Sequence, residues 1–210
     1  MAETKIGRMV LGYYQTNCYF IYQEEKKHAI VVDPADQGKK IFEALRRNGI
    51  TVDAILLTHG HFDHIWGTGE LREAAGVKLY ALDAEKTVCE DAHNNVSEMT
   101  GRPCTVEADE YLRDGQELTL ADSRFRVIAT PGHTIGSCCY YFPEAGFLVS
   151  GDTLFAESVG RTDFPTGSMS SLVRSIKEKL YVLPGETRVY PGHGDSTTIE
   201  HEMQYNPFTA

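Results

Sequence analysis

The run Thr58-His59-Gly60-His61-Phe62-Asp63-His64 places three imidazoles and a carboxylate within six positions, directly after the apolar residues Ala54 to Leu57. Imidazole nitrogens and carboxylate oxygens at this density are the donor set of a metal site. On an extended turn side chains alternate, so His59 and His61 can face the same way while Asp63 and His64 swing to a neighbouring position as the chain turns. One loop can thus serve two adjacent ions. A polar surface loop is the plain alternative, and the fit of the spacing to ligand geometry argues against it.

A single loop rarely closes a metal site, so further ligands are expected in turns elsewhere. Three turns qualify. His133 lies in Thr130-Pro131-Gly132-His133-Thr134 after Phe125 to Ala129, and Asp152 lies in Ser150-Gly151-Asp152-Thr153 after Phe147 to Val149. His193 lies in Tyr190-Pro191-Gly192-His193-Gly194 after Arg188 to Tyr190. Each is an apolar strand, then small residues, then a ligand. Gly and Pro let the backbone turn sharply, which sets the ligand at the end of a strand that the core holds. Any one of the three could be a satisfied structural residue; together with the histidine-rich run they form a set.

Thr-His-x-His-x-Asp-His, Pro-Gly-His-Thr, Gly-Asp-Thr-Leu-Phe and Pro-Gly-His-Gly, in that order, resemble the ligand series of the metallo-β-lactamase superfamily. Within it the chain is most similar to hydroxyacylglutathione hydrolases (the glyoxalase II group) and to persulfide dioxygenases, which share the segment seen here as Gly160-Arg161-Thr162-Asp163-Phe164. The resemblance runs from about Thr16 to Phe208. It implies that His59, His61 and His133 hold a first metal, that Asp63, His64 and His193 hold a second, and that Asp152 bridges them.

The remaining composition bounds the partners. A length of 210 residues with 41% hydrophobic residues fits one domain, spanning 1–210, with a sizeable core. A formal charge of −10 and no basic cluster longer than Lys26-Lys27 or Arg46-Arg47 argue against a nucleic-acid partner. No apolar run reaches membrane-spanning length and no export signal follows Lys5 and Arg8, so no membrane association and a cytoplasmic location are expected. Five cysteines without a Cys-x-x-Cys spacing suit reduced thiols, and Cys18, Cys138 and Cys139 sit in apolar runs that read as core. Oligomeric state is not legible.

Elements able to position the ligands follow from periodicity. Cys18 to Tyr22 and Ala29 to Val32 read as a hairpin that stops at Asp33-Pro34. The spacing of Ile41, Phe42 and Leu45 predicts a helix over Lys39 to Arg47, ended by Asn48-Gly49, and Ala54 to Leu57 and Val77 to Leu82 read as strands. Strands are expected at Glu117 to Leu120, Phe125 to Ala129, Ser137 to Phe142, Gly146 to Val149 and Thr187 to Tyr190. Met169, Leu172, Val173, Ile176 and Leu180 predict a helix capped by Ser168, its apolar stripe turned to the core. A short helix is expected around Thr197 to Tyr205, and Cys89 to Ala108 reads as loop or broken helix with His93 exposed. Strand-rich halves with helices outside give an α/β fold, a four-layer αββα sandwich, which the resemblance also implies.

The chemistry expected is hydrolysis. His and Asp ligands suit zinc, iron or manganese without choosing among them, and two zinc ions are the first expectation. Two ions clamped by Asp152 would share a water whose pKa falls from about 15.7 to about 7, giving a nucleophile at neutral pH, with Asp63 and Asp152 as the catalytic carboxylates. The resemblance implies a 2-hydroxyacyl thioester as the small-molecule substrate, and a thioester suits the centre because a thiolate with a pKa of about 8.5 departs without a dedicated acid. Arg161 is a candidate substrate contact, weighed equally with a loop-ordering ion pair to Asp163. Full-length glyoxalase II enzymes continue into a helical segment that supplies much of the glutathione grip, whereas this sequence ends at Ala210. The thiol carrier is therefore open. The alternatives are a mononuclear iron persulfide dioxygenase using only the site of His59, His61, His133 and Asp152, and a non-catalytic, metal-stabilised binding module.

Overall fold

The computed structural model describes residues 3–209; Met1, Ala2 and Ala210, the extremes of the expected 1–210 span, lie outside the described residues. The first half builds a six-stranded sheet from β1 (Thr4–Leu11), β2 (Thr16–Gln23), β3 (His28–Val32), β4 (Thr51–Leu56), β5 (Lys78–Leu82) and β6 (Glu110–Leu112), in that spatial order. Neighbours are antiparallel from β1 to β3 and parallel from β3 to β6. The crossovers carry α1 (Gly38–Arg47), then α2 (Phe62–Ile65) and α3 (Thr68–Ala75), then α4 (Lys86–Cys89).

The second half supplies β7 (Glu117–Leu120), β8 (Ser123–Ala129), β9 (Cys138–Phe142), β10 (Phe147–Gly151), a short hairpin of β11 (Leu154–Phe155) with β12 (Ser158–Val159), β13 (Arg188–Pro191) and β14 (Thr197–Thr198). The second sheet has the order β14-β13-β10-β9-β8-β7, with only β10 and β13 parallel. Outside it lie α5 (Met169–Ser175), its π-helical continuation Ile176–Leu180, and α6 (Ile199–Tyr205).

Alternating side chains sort the core into three layers. Tyr19, Ile21, Ile30, Val32, Phe125, Val127, Tyr140 and Phe142 fill the space between the sheets. Cys18, Ala29, Val31 and Ile55 point the other way and pack on Ile41 and Leu45 of α1 and Leu71 of α3. Cys139 and Leu148 pack on Leu172, Ile176, Leu180 and Ile199 beyond the second sheet. The four-layer αββα arrangement is therefore present, and the neighbours Cys138 and Cys139 enter different layers. No helix among the described residues is long and apolar enough to cross a membrane.

Local expectations hold with small shifts at element ends. Ser168 caps α5 by accepting a hydrogen bond from the Ser171 backbone N–H. Met169, expected on the buried stripe, is 43% exposed; it is the first residue of α5, and burial begins with Leu172 one turn later. Phe62–Ile65 is a helical turn and not extended chain, so Asp63 and His64 reach their positions by helical rotation. Strand β1 was not expected; Gly7 at its centre lies under the Phe20 ring, and a Cβ there would sit 2.0 Å from Phe20 Cζ.

Candidate metal centre

All seven expected ligands lie in turns at the C-terminal ends of β4, β8, β10 and β13, the edge of an open sheet where function commonly sits. The structure brings them together. His133 Nε2 is 2.8 Å from His61 Nδ1 and 3.2 Å from His59 Nε2. Alongside, His193 Nε2 is 3.4 Å from His64 Nε2 and 3.3 Å from Asp63 Oδ2. Asp152 stands between the two triads: one oxygen is 3.4 Å from His64 Nε2, and the other is 3.6 Å from His133 Nε2 and 3.5 Å from His193 Nε2. Within each triad, one donor atom per residue lies within 4.8 Å of the others, a span suited to one ion.

The hydrogen bonds of the outer ring nitrogens turn the inner ones towards one another. His133 Nδ1 donates to the Arg161 carbonyl at 2.7 Å and His193 Nδ1 to the Tyr14 carbonyl at 3.1 Å, which leaves a lone pair on each Nε2 whenever the ring is neutral. His64 Nδ1 donates to Asp33 Oδ2 at 2.9 Å. Its Nε2 then also points a lone pair inward whenever the ring is neutral. Asp152 Oδ1 and His61 Nε2 are buried without a hydrogen-bond partner. Gly192 completes the cradle, since a Cβ there would lie 2.1 Å from Asp152 Oδ1. Converging acceptors, a buried orphan oxygen and a backbone pared to glycine fit a pair of cations.

Electrostatics separates the triads. Burial holds the His59 and His61 imidazoles below their ordinary range, His61 at about 3, and neighbouring imidazoles reinforce this; burial also lowers His133. Burial would lower His64 too, but the carboxylates of Asp152, Asp63 and Asp33 surround it and hold it well above its usual value. His193 is likewise raised, the hydrogen bond to Asp63 overcoming its burial. Asp152 resists the upward push of burial because His64, His133 and His193 hold it well below the carboxylate range. An ion entering the second triad must therefore displace a proton from His64, whereas the first triad is already neutral. As pH falls from 8 towards 5, the Asp63/His64/His193 site is expected to lose its ion first. Titration calorimetry in buffers of different ionisation enthalpy should show one proton-releasing binding step and one without protons; two equal steps would contradict the assignment.

Residues that the sequence did not mark hold the ligands in place. Asp33, read as a strand stop, is buried at a backbone φ of 51°, and its oxygens accept from the Thr58 N–H at 2.8 Å, the Thr58 hydroxyl at 2.6 Å and His64. Thr16 Oγ1 donates to Asp63 Oδ2 at 3.1 Å. Glu85 is 1% exposed, and burial pushes its carboxyl up to about 8 against hydrogen bonds from Gly60, Thr134 and Gly136. No short-range pattern announces such contacts, which join residues 25 to 51 positions apart.

A cleft of about 390 Å³ opens over the centre, lined by Tyr14, Phe62, Phe155, Val159 and Phe164 beside the ligands. Arg161 lines it too. Its Nε and Nη2 each meet a carboxylate oxygen of Asp163 at 2.7 Å, and its guanidinium lies 3.9 Å over the Phe164 ring. His93 lies on the surface, away from the centre, facing Glu98.

A two-sheet sandwich with converging His/Asp groups at one edge, able to hold metal, is the arrangement the chain shares with metallo-hydrolases. The chain belongs to the Metallo-beta-lactamase superfamily, whose family model matches residues 11–193. It is 39% identical over 206 residues to the probable metallo-hydrolase YqgX of Bacillus subtilis (strain 168), covering 97% of each chain. It is 31% identical over 201 residues to the hydroxyacylglutathione hydrolase GloC of Haemophilus influenzae, covering 93% of each. Among solved structures it resembles the B3 metallo-beta-lactamase BLEG-1, with a TM-score of 0.93, 40% identity and coverage of 98% and 99%. TTHA1623 in a di-iron-bound form matches with a TM-score of 0.86, 35% identity and coverage of 96% and 99%. ETHE1 from Myxococcus xanthus matches with a TM-score of 0.81, 29% identity and coverage of 97% and 83%.

Proposed function

We propose that this chain is a dinuclear metal-dependent thioesterase acting on a 2-hydroxyacyl thioester. The observation that carries the reading is Asp152, whose two oxygens reach across to both triads. His59, His61 and His133 would hold one divalent ion and Asp63, His64 and His193 the other, with Asp152 shared; zinc is the first expectation and iron the alternative that TTHA1623 recommends. When bound, such a pair polarises an acyl carbonyl and lowers the pKa of water to about 7.

The chain's own residues do the rest. Thr16 fixes one oxygen of Asp63, leaving that carboxylate oriented towards His193 and the cleft, where it can accept a proton from attacking water. Phe62, Phe155 and Phe164 exclude bulk solvent and offer an apolar wall to the acyl group, and Arg161, steadied by Asp163, is placed to contact the substrate's polar end. No side-chain acid is required at the leaving sulfur, since a thiol of pKa about 8.5 departs as thiolate. Similarity to GloC favours the hydroxyacyl thioester, and retention of Asp63, His64 and His193 in one triad favours two ions over one.

The test is thiol release under argon from S-lactoylglutathione and shorter acyl-thiols, run beside an oxygen electrode with glutathione persulfide and a cephalosporin hydrolysis assay. Anaerobic thiol release without oxygen uptake is expected. Oxygen uptake with persulfide and no thioester cleavage would transfer the assignment to the dioxygenase, and cephalosporin cleavage alone would change the substrate class. A metal-loaded protein inert to all of them would leave the binding-module reading.

A further inference from the structure

We infer that Glu85 is a positioning residue for the first triad, a carboxylate clamp that fixes the His59–His61 segment against the His133 loop. The inference rests on the metal-centre reading and is independent of the substrate. Glu85 ends the single turn Asp83–Glu85 that follows β5, and it has no direct contact with any imidazole among its hydrogen bonds. Its Oε1 accepts from the backbone N–H of Gly60, the residue between His59 and His61, at 2.7 Å. Its Oε2 accepts from the Thr134 hydroxyl at 2.8 Å and the Gly136 N–H at 2.9 Å, on the turn that begins with His133. One carboxylate thus holds both backbone segments whose three imidazole nitrogens converge.

The approach is built into the neighbouring backbones. A Cβ on Gly136 would lie 2.1 Å from Glu85 N, and one on Gly60 would lie 2.9 Å from the N and Sγ of Cys89, so both segments press on the same stretch, Asp83 to Cys89. No side-chain cation acts on Glu85 among the described residues. An apolar side chain of equal volume would leave the buried Gly60 and Gly136 N–H groups without acceptors, so the two segments depend on this one carboxyl. What the carboxyl provides is directed acceptance at two ends, one oxygen for each segment, and these hydrogen bonds aim the N–H groups they bind. Outer residues that orient metal ligands in this way change metal affinity when altered.

Glu85→Gln tests the clamp with volume unchanged. A glutamine has one acceptor oxygen, so whichever segment it serves, its NH2 group faces an N–H donor on the other, and the two segments are uncoupled. Stepwise affinities, read by competition with a chromophoric chelator, are expected to fall about 10- to 100-fold for one ion and to stay within about twofold for the other. Repeating the titration in an Asp63→Ala background assigns the weakened step to the first triad, and the cobalt(II) absorption spectrum of that site should change. Thr134→Val removes only the hydroxyl donor and should weaken the same step by a smaller factor; it carries the test if the glutamine variant fails to fold. Wild-type affinities and cobalt spectra in Glu85→Gln would overturn the role of Glu85 while leaving the metal centre standing. Equal weakening of both ions with Thr134→Val unaffected would also overturn it. A wild-type chain that binds no metal would remove the centre and the clamp together.

Discussion

Asp152→Ala is expected to release at least one ion and to lower kcat/KM by about 10³-fold or more, since a metal clamp contributes several kcal/mol to the transition state and each 1.4 kcal/mol is tenfold. The carboxylate lies within 3.6 Å of His64, His133 and His193, and its loss strips the shared oxygens from both triads. It also removes one of the three carboxylates that raise His64, so the imidazole there sheds its proton more readily. Elemental analysis, kinetics and far-ultraviolet circular dichroism on one preparation check the result. Two tightly held ions with unchanged turnover would end Asp152's place at the centre.

Gly192→Ala is the second large effect, and it replaces no candidate ligand. The added methyl would occupy a point 2.1 Å from Asp152 Oδ1 and 2.7 Å from His64 Cε1, so one of them must move by most of an ångström. Displacements of that size cost about 100-fold in rate, and overpacking costs about 1–3 kcal/mol of stability. Metal stoichiometry below wild type, with a fall in activity, is expected. Gly69→Ala is the control: its Cβ meets nothing within 4 Å inside α3, and an alanine there should leave activity intact and raise stability by about 0.5–1 kcal/mol.

Much of this candidate centre was legible in the chain because its candidate ligands sit in short segments with strong local signals. His59, His61, Asp63 and His64 share one turn, and His133, Asp152 and His193 each follow an apolar strand and a glycine. The sandwich was legible through short apolar runs bounded by turn residues, which is why strands such as Cys138–Phe142 shifted by only a residue. Illegible parts share one cause: they are contacts at long range or departures that preserve spacing. Asp33 and Glu85 become supports only when folding brings Thr58, His64, Gly60 and Gly136 to them. The π-helical stretch Ile176–Leu180 keeps its apolar residues on one face, so periodicity could not reveal it. Strand β1 is masked by Gly7 and Arg8, and its exposed and half-buried residues lack the full apolar run of β3.

The ligand loops hang from different layers. His59, His61, Asp63 and His64 follow β4 of the first sheet, while His133, Asp152 and His193 follow β8, β10 and β13 of the second. Each triad therefore draws members from both, and an ion in either would act as a rivet through the sandwich. Its binding free energy becomes cohesion between the halves of the chain, growing with the logarithm of free metal over its dissociation constant. Without it the same edge is stitched by hydrogen bonds, among them Asn17 N–H to the Gly192 carbonyl at 2.7 Å and the Tyr19 hydroxyl to the Pro191 carbonyl at 2.7 Å. Metal supply thus sets how firmly the two halves move as one body, and chelation should loosen hydrogen exchange first along this seam, leaving the helix-covered outer layers protected longest.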